Sequence, residues 1–102
     1  MEDHVFFDAE TTGVETTCSI ICAVTIRNGV VKRYREEVPG RLSHKTSKEL
    51  ALDLLDAPYV VTFNGAAFDF KVLAHHLNDK EIAAKLARKA AFGHKDIMFD
   101  FL

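Results

Sequence analysis

Two carboxylates stand two residues apart near the start of the chain, directly after an apolar run. Asp8 and Glu10 lie in the segment "VFFDAETTG". If this segment is a β-strand, residues i and i+2 point to the same face, so the two acids lie side by side. Neighbouring anions repel each other, and a divalent cation relieves the repulsion; oxygen ligands favour Mg²⁺ or Mn²⁺ over zinc. The pair therefore indicates a metal site, although the same spacing also fits a strand that simply ends with both acids in solvent.

A third acid follows a second apolar run. The segment "VTFNGAAFDF" contains Asn64 and Gly65, which favour a sharp turn, and then Asp69 in the first turn of a predicted helix. If the strand before the turn is the parallel neighbour of the first strand, both carboxyl ends open at one edge of the sheet, where α/β proteins bind ligands. Asp69 would then complete a three-carboxylate cluster with Asp8 and Glu10. Its other interpretation is an acid favoured by the helix dipole.

The strands that must position these acids follow from the pattern of apolar residues. A first strand is predicted over residues 5–9, a second over 17–27 and a third over 30–38. Asn28 and Gly29 join the last two, and this dipeptide suits a tight hairpin because both central positions need a positive φ. We therefore expect three antiparallel strands.

The first helix is predicted to begin at a capping box formed by Thr46 and Glu49 and to stop before Pro58. The remaining elements are a short apolar strand, two helices and a last strand, at residues 59–63, 68–77, 80–91 and 96–102. A helical crossover makes the strand after it parallel to the first strand. The order β-β-β-α-β-α-α-β predicts an α/β fold with a mixed sheet and flanking helices.

Length and composition limit the choice of function. The chain has 102 residues, which suits a single domain, and is 48% hydrophobic and 27% charged. It contains no apolar run of about 20 residues that could span a membrane, and its acidic start does not resemble a signal peptide. We therefore expect a cytoplasmic protein. The net charge of −2 argues against broad, charge-driven binding of nucleic acid but leaves room for a local acidic site that reaches phosphate through metal ions.

The two cysteines are expected to be buried core thiols. Cys18 and Cys22 are four residues apart, which on a strand separates their Cα atoms by about 13 Å. This distance is too long for a disulfide, and the histidines show no zinc-ligand spacing with the cysteines. Free cysteines usually pack as small hydrophobic residues.

Three segments together resemble a known family. "FFDAETTG" is similar to the first motif of the DEDD 3′–5′ exonucleases, and "VTFNGAAFDFKVLAHHL" is similar to their second. "HKDIMFDF" resembles the segment that follows, so the resemblance runs from residue 5 to residue 102. It implies a ribonuclease H-like fold and hydrolysis of the terminal phosphodiester at a 3′ end, with two Mg²⁺ or Mn²⁺ ions. The substrate would be DNA or RNA, and the sequence does not choose between them.

The resemblance also assigns roles to residues. The positions that match the family's metal-binding and catalytic acids are Asp8, Glu10 and Asp69. The positions that match contacts to the terminal nucleotide or the lining of its cleft are Thr11, Thr12, Asn64 and Phe68. Asp96 matches an accessory acid at the start of a strand.

The sequence departs from the family pattern in one respect. The family carries a fourth acid on a further helix, preceded by a His or Tyr that positions the attacking water, and the last residue here is Leu102. Asp100, His94 and the His75-His76 pair are weak substitutes and are better interpreted as surface or structural residues. We therefore expect a C-terminally truncated domain that is weak or inactive alone. It would self-associate, or a complementing chain would cover its last strand. The alternative is a non-catalytic nucleic-acid-binding or oligomeric module with the same fold.

Overall fold

The computed structural model describes residues 3–12, 19–37, 40–62 and 68–96. Its elements are β1 (His4–Thr11), β2 (Ile20–Arg27), β3 (Val30–Tyr34), α1 (His44–Asp56), β4 (Tyr59–Thr62), α2 (Phe68–Leu77), α3 (Lys80–Phe92) and β5 (His94–Asp96). This order confirms the predicted order of strands and helices. No helix in the described part of the chain has the length and hydrophobicity that a membrane span requires.

The five strands form one mixed sheet in the order β3-β2-β1-β4-β5. β2 pairs antiparallel with β1 and β3, whereas β4 pairs parallel with β1 and β5. The hairpin between β2 and β3 turns at Asn28 and Gly29, with φ values of 53° and 79°, as the sequence predicted. The α/β class and the mixed sheet are therefore confirmed, and β1, which carries Asp8 and Glu10, is the middle strand.

Alternation along the strands gives the sheet two different faces. The helices cover one face, whose buried residues include Val5, Phe7, Ala23, Tyr34 and Val60. We call the opposite side the open face. Its described residues are Phe6, Asp8, Glu10, Cys22, Val24, Ile26, Val31, Arg33 and Val61. Because side chains alternate with period 2, a slip of β1 by one residue would bury Asp8 and Glu10 and expose Phe7.

Apolar and polar contacts hold the helices to the covered face. The ring of Phe70 on α2 packs edge-on against Phe7, with centroids 6.1 Å apart. On α1, Asp53 accepts hydrogen bonds from Lys32 and from the hydroxyl of Tyr34, both on β3. The buried leucines of the helices complete the core: Leu50, Leu54, Leu73, Leu77 and Leu86.

The N-terminus of α1 differs from the prediction. Ser43, in an extended conformation, is the N-cap, and its side chain accepts a hydrogen bond from the backbone N–H of Thr46. The predicted capping box of Thr46 and Glu49 is therefore wrong, and the helix begins at His44. The physical reason is a contact from outside the helix: the Glu36 carboxylate accepts a hydrogen bond from the N–H of Ser43 at 2.7 Å. This contact holds Ser43 in position to cap.

Several strand bounds also differ. β3 ends at Tyr34, and residues 35–37 are not strand, because Glu36 leaves the sheet to bind Ser43. β2 begins at Ile20, after Ser19, and β5 begins at His94. The remaining predicted strand residues, 17, 18, 38, 63 and 97–102, lie outside the described part of the chain.

Candidate active site

Asp8 and Glu10 lie on the open face, close to the carboxyl end of the middle strand. Both side chains are exposed, and their Cα partners on β2 are Val24 and Cys22. Between them, Ala9 packs against the core on the covered face. Because the residues next to the two acids pack on the covered face, both carboxylates point to the open face. The same ligand can therefore reach Asp8 and Glu10.

The carboxyl ends of the two central parallel strands open at one edge. Thr62, the last residue of β4, pairs with Phe7 on β1, so β1 continues past this point to Asp8 and Glu10. Asp69 is the second residue of α2, and the connection from Thr62 to Phe68 spans at most about 20 Å. The α2 N-terminus therefore lies within about 20 Å of the carboxyl end of β4.

Some predicted site residues cannot be placed by their side chains. Asn64 lies outside the described residues, as do the side chains of Phe68, Asp69 and Asp96. The backbone of Asp96 ends β5 and pairs with Thr62, one row before Asp8. The roles of Asn64, Phe68, Asp69 and Asp96 remain predictions.

Thr12 closes the connection between β1 and β2. Its N–H donates to Ser19 O at 2.9 Å, and its Oγ1 accepts from the Ser19 N–H at 3.0 Å. Thr11 ends β1 next to Glu10 and pairs with Ile20. The two threonines therefore lie beside the acids, and the oxygen of Thr12 already has a structural partner.

Cys22 is a neighbour of the two acids that the sequence did not reveal. Its Sγ donates a hydrogen bond to Glu10 Oε2 at 3.6 Å, across the β1–β2 pair. The thiol is only partly buried, so its prediction as a buried core residue was wrong; alternation on β2 places it on the open face. Partial burial, and then the nearby Glu10 carboxylate, raise the pKa of the Cys22 thiol. It therefore stays protonated near neutral pH and can donate to Glu10. Cys18 lies outside the described residues.

Two histidines weighed as substitute bases make contacts that support the fold. Nε2 of His94 lies 2.7 Å from Oγ1 of Thr62, and its ring packs on Phe70. The Nε2–H of His76 donates to Leu42 O at 2.9 Å. These positions agree with the structural interpretation of both residues.

The described donor atoms suit part of a hard-cation site. The Asp8 and Glu10 carboxylates supply oxygen ligands on one exposed surface, as Mg²⁺ and Mn²⁺ prefer, and such ions keep several waters. Among the side chains that the structure describes, no group of three or more His, Cys, Asp or Glu could hold a metal ion. The third acid of the predicted cluster, Asp69, is not among those side chains.

A mixed sheet with an antiparallel hairpin, a parallel extension and helices packed against it defines a ribonuclease H-like α/β fold. The chain belongs to the RNase H superfamily: the family model RNase_H_2, described as RNase_H superfamily, matches residues 5–101. No curated protein matches the chain. The matched range includes all of β2 to β5 and every residue of β1 after His4.

Proposed function

We propose that this domain is a metal-dependent 3′–5′ exonuclease of the DEDD type, acting on the terminal phosphodiester of DNA or RNA. One observation carries the proposal: Asp8 and Glu10 share an exposed face near the carboxyl end of the middle strand of an RNase H superfamily domain. Metal-dependent nuclease chemistry needs anionic ligands at such an open edge, because the substrate is itself an anion and reaches the acidic site through metal ions.

The residues have separate tasks in this proposal. The acids that would hold Mg²⁺ or Mn²⁺ are Asp8, Glu10 and Asp69. Metal ions held there would supply a more acidic bound water and stabilisation of the charge on the leaving oxygen. The residues that would hold the terminal nucleotide are Thr11, Thr12, Asn64 and Phe68, and Asp96 would be accessory.

Cys22 is a positioning residue in this proposal. Its thiol donates to one oxygen of Glu10, which favours one orientation of the carboxylate and leaves the second oxygen outside that bond. Groups behind a metal ligand commonly orient it and tune its affinity for the metal. The S–H group is a weak donor, so we expect a modest effect.

Residues 1–102 contain no counterpart of the family's fourth acid with its preceding His or Tyr. A positioned general base contributes roughly 10²–10⁴-fold to rate. We therefore propose weak activity for these residues alone. The second candidate is a nucleic-acid-binding module that binds metal and a 3′ end without cleaving.

The direct test is digestion of 5′-labelled single-stranded DNA and RNA by excess protein with Mn²⁺. Shortening from the 3′ end, with no cleavage of a circular substrate, supports an exonuclease. Asp8→Asn and Glu10→Gln should each lower the rate at least about 100-fold. Glu81→Gln, which removes an exposed carboxylate from α3, should leave it unchanged. Undiminished digestion by Asp8→Asn would contradict the assignment.

Calorimetric titration with Mn²⁺ separates the two candidates. Metal binding that Asp8→Asn abolishes, together with digestion, supports the exonuclease. Metal and oligonucleotide binding without digestion supports the binding module. No Mn²⁺ binding at millimolar concentration would leave both without their metal site.

A further inference from the structure

The open face has an apolar centre that the described helices leave exposed. Phe6 lies on the middle strand and is 49% exposed, and Ile26 and Val31 are 40% and 48% exposed. The centre of a sheet face is normally its most buried part. Contiguous exposed apolar groups with a polar border mark interaction surfaces. The open face is therefore a candidate docking surface.

The strand register arranges this surface into rows. An apolar row crosses four strands: Val31, Ile26, Phe6 and Val61, of which the first three are exposed and Val61 is buried. The next row crosses three strands: Arg33, Val24 and Asp8. The third row contains Cys22 and Glu10, and Arg35, just after β3, lines the same surface groove as Cys22.

Charges of opposite sign lie on different strands of the open face. The acids Asp8 and Glu10 are on β1, whereas Arg33 is on β3 and Arg35 follows it. All four side chains are exposed. β2 lies between β1 and β3, so acids and arginines stand at equal distances on either side of it, about 4.8 Å in each direction.

We propose that a second copy of the chain docks on the open face, with a twofold axis running along β2. This axis lays β3 of each copy over β1 of the other. Val31 then meets Phe6 of the second copy, Arg33 meets Asp8, and Arg35 approaches Glu10. Such an interface is isologous, because each contact occurs twice. A twofold axis perpendicular to the strands would not bring these opposite charges together.

A second copy fits the surface better than a nucleic-acid strand does. Among the apolar residues that the structure describes on the open face, Phe6 is the one aromatic residue; the others are aliphatic: Val24, Ile26, Val31 and Val61. Single-stranded nucleic acid is bound mainly by aromatic stacking and a positive groove. The aliphatic centre and the balanced charges instead match what packed sheets bury. The dimer does not require the proposed hydrolysis, but it covers Asp8 and Glu10, so only the monomer would be open to metal ions and to a 3′ end.

The overlapping area predicts a weak dimer. Three strands and three rows cover roughly 15 Å by 20 Å on each copy, so the area that both copies bury is smaller than that of standard specific interfaces. We therefore expect dissociation in the range of tens to hundreds of micromolar. The half-exposed side chains at the apolar centre are consistent with such an interface, because a monomer that dissociates reversibly must tolerate them in water.

Sedimentation equilibrium of the full chain, from about ten to several hundred micromolar in low salt, tests the proposal. The average mass should rise toward that of a dimer. Arg33→Glu and Asp8→Arg should each weaken association roughly tenfold, and the double variant should restore it. Lys85→Glu makes the same charge change as Arg33→Glu, but on α3, and should have no effect on association. A monomer throughout, or no rescue, would overturn the proposal.

Cross-linking tests the position of the axis. Because β2 runs along the axis, Cys22 of the two copies should face each other across roughly 10 Å, the spacing of packed sheets. In Cys18→Ser, a short bismaleimide should then give a covalent dimer. Cys22→Ser, which keeps Cys18, should give none. A dimer that forms only through Cys18 would place the axis elsewhere and overturn the proposed packing.

Other occupants of the open face give different results. If single-stranded oligonucleotide shifts the NMR signals of Phe6 and Ile26 in a chain that stays monomeric, the face binds nucleic acid. A further possibility is that another part of the same chain covers the open face. The chain would then stay monomeric, and Ile26→Asp would lower its free energy of unfolding by more than Leu52→Asp does. Leu52, on α1, is the control because both side chains are about half exposed. Either result would overturn the dimer.

Discussion

Single side chains connect α1 and α2 through backbone carbonyl groups. His44, the first residue of α1, has its Nε2 2.9 Å from Leu77 O at the end of α2. His76, near the end of α2, donates to Leu42 O just before α1. The two bonds run in opposite directions between the same two helix ends. Loss of either histidine therefore affects how α2 is held against α1.

His76 should make stability depend on pH near neutrality. Burial lowers its pKa, and the bond to Leu42 O only partly offsets this. As the pH falls through about 6.5, the unfolded chain takes up the proton first, so stability present above this pH is lost below it. Urea unfolding of the wild type should therefore show a lower free energy at pH 5.5 than at pH 7.5. His76→Gln, which keeps a donor for Leu42 O, should reduce this difference.

His75→Gln is the matched control, because His75 is the exposed neighbour of His76 on the same helix. This variant should keep the pH dependence of the wild type. An unchanged pH dependence in His76→Gln would show that His76 is not the responsible group.

At the level of elements, the order of strands and helices could be predicted because it depends on local patterns. Asn28 and Gly29 specify their hairpin through φ, and Asp79 caps α3 by accepting from Ile82 N–H. The start of α1 could not be predicted, because the deciding contact to Ser43 comes from Glu36, seven residues earlier. Local pattern alone favoured a capping box three residues too late.

Replacing the α1 cap distinguishes the two possible helix starts. Ser43→Ala removes the oxygen that accepts from Thr46 N–H, so we expect a loss of about 1 kcal/mol in the free energy of unfolding. Thr46→Ala should cost less than half of this, because Thr46 lies inside the helix. Both values come from urea unfolding. A larger loss for Thr46→Ala would place the cap where the sequence pattern predicted it.

The candidate site was predictable only in part, for a related reason. Asp8 and Glu10 could be placed on one face from their spacing alone. The thiol of Cys22 could not be placed beside Glu10, because the sequence between β1 and β2 contains no recognisable turn pair that would specify the register of the two strands. Residues that act together from different strands need this register before they can be recognised.

Over the whole molecule, distant segments are joined by ion pairs. Arg27, at the end of β2, binds both carboxylate oxygens of Asp3 at 3.0 and 2.6 Å and also reaches Asp56 at the end of α1. Hydrogen bonds from Arg27 lower the pKa of Asp3. The N–H of Ser43 likewise lowers the pKa of Glu36. Each carboxylate therefore favours the folded state only while it is ionised.

Because these carboxylates stabilise the fold only when ionised, we expect the free energy of unfolding to fall in acid. Burial alone would raise the pKa of Asp53, but hydrogen bonds from Lys32 and Tyr34 lower it below its ordinary value near 4. The stability that it contributes is present above that value and is lost as the pH falls further. Asp53→Asn should be less stable at pH 7, yet should lose less between pH 4.5 and 2.5 in urea unfolding. Glu81→Gln is the control and should lose as much as the wild type; equal losses in Asp53→Asn would contradict the assignment.

The central position of β1 has a consequence for synthesis on the ribosome. One edge of β1 finds its partner in β2 soon after it emerges, but its other edge must wait for β4, whose last residue comes 51 residues after Thr11. At about 5–20 residues per second this delay is roughly 3–10 s. For that time a strand with the sequence HVFFDAET has an unpaired edge that another nascent chain could join. The charges of Asp8 and Glu10 lie within this strand, so they oppose such pairing between identical chains during translation.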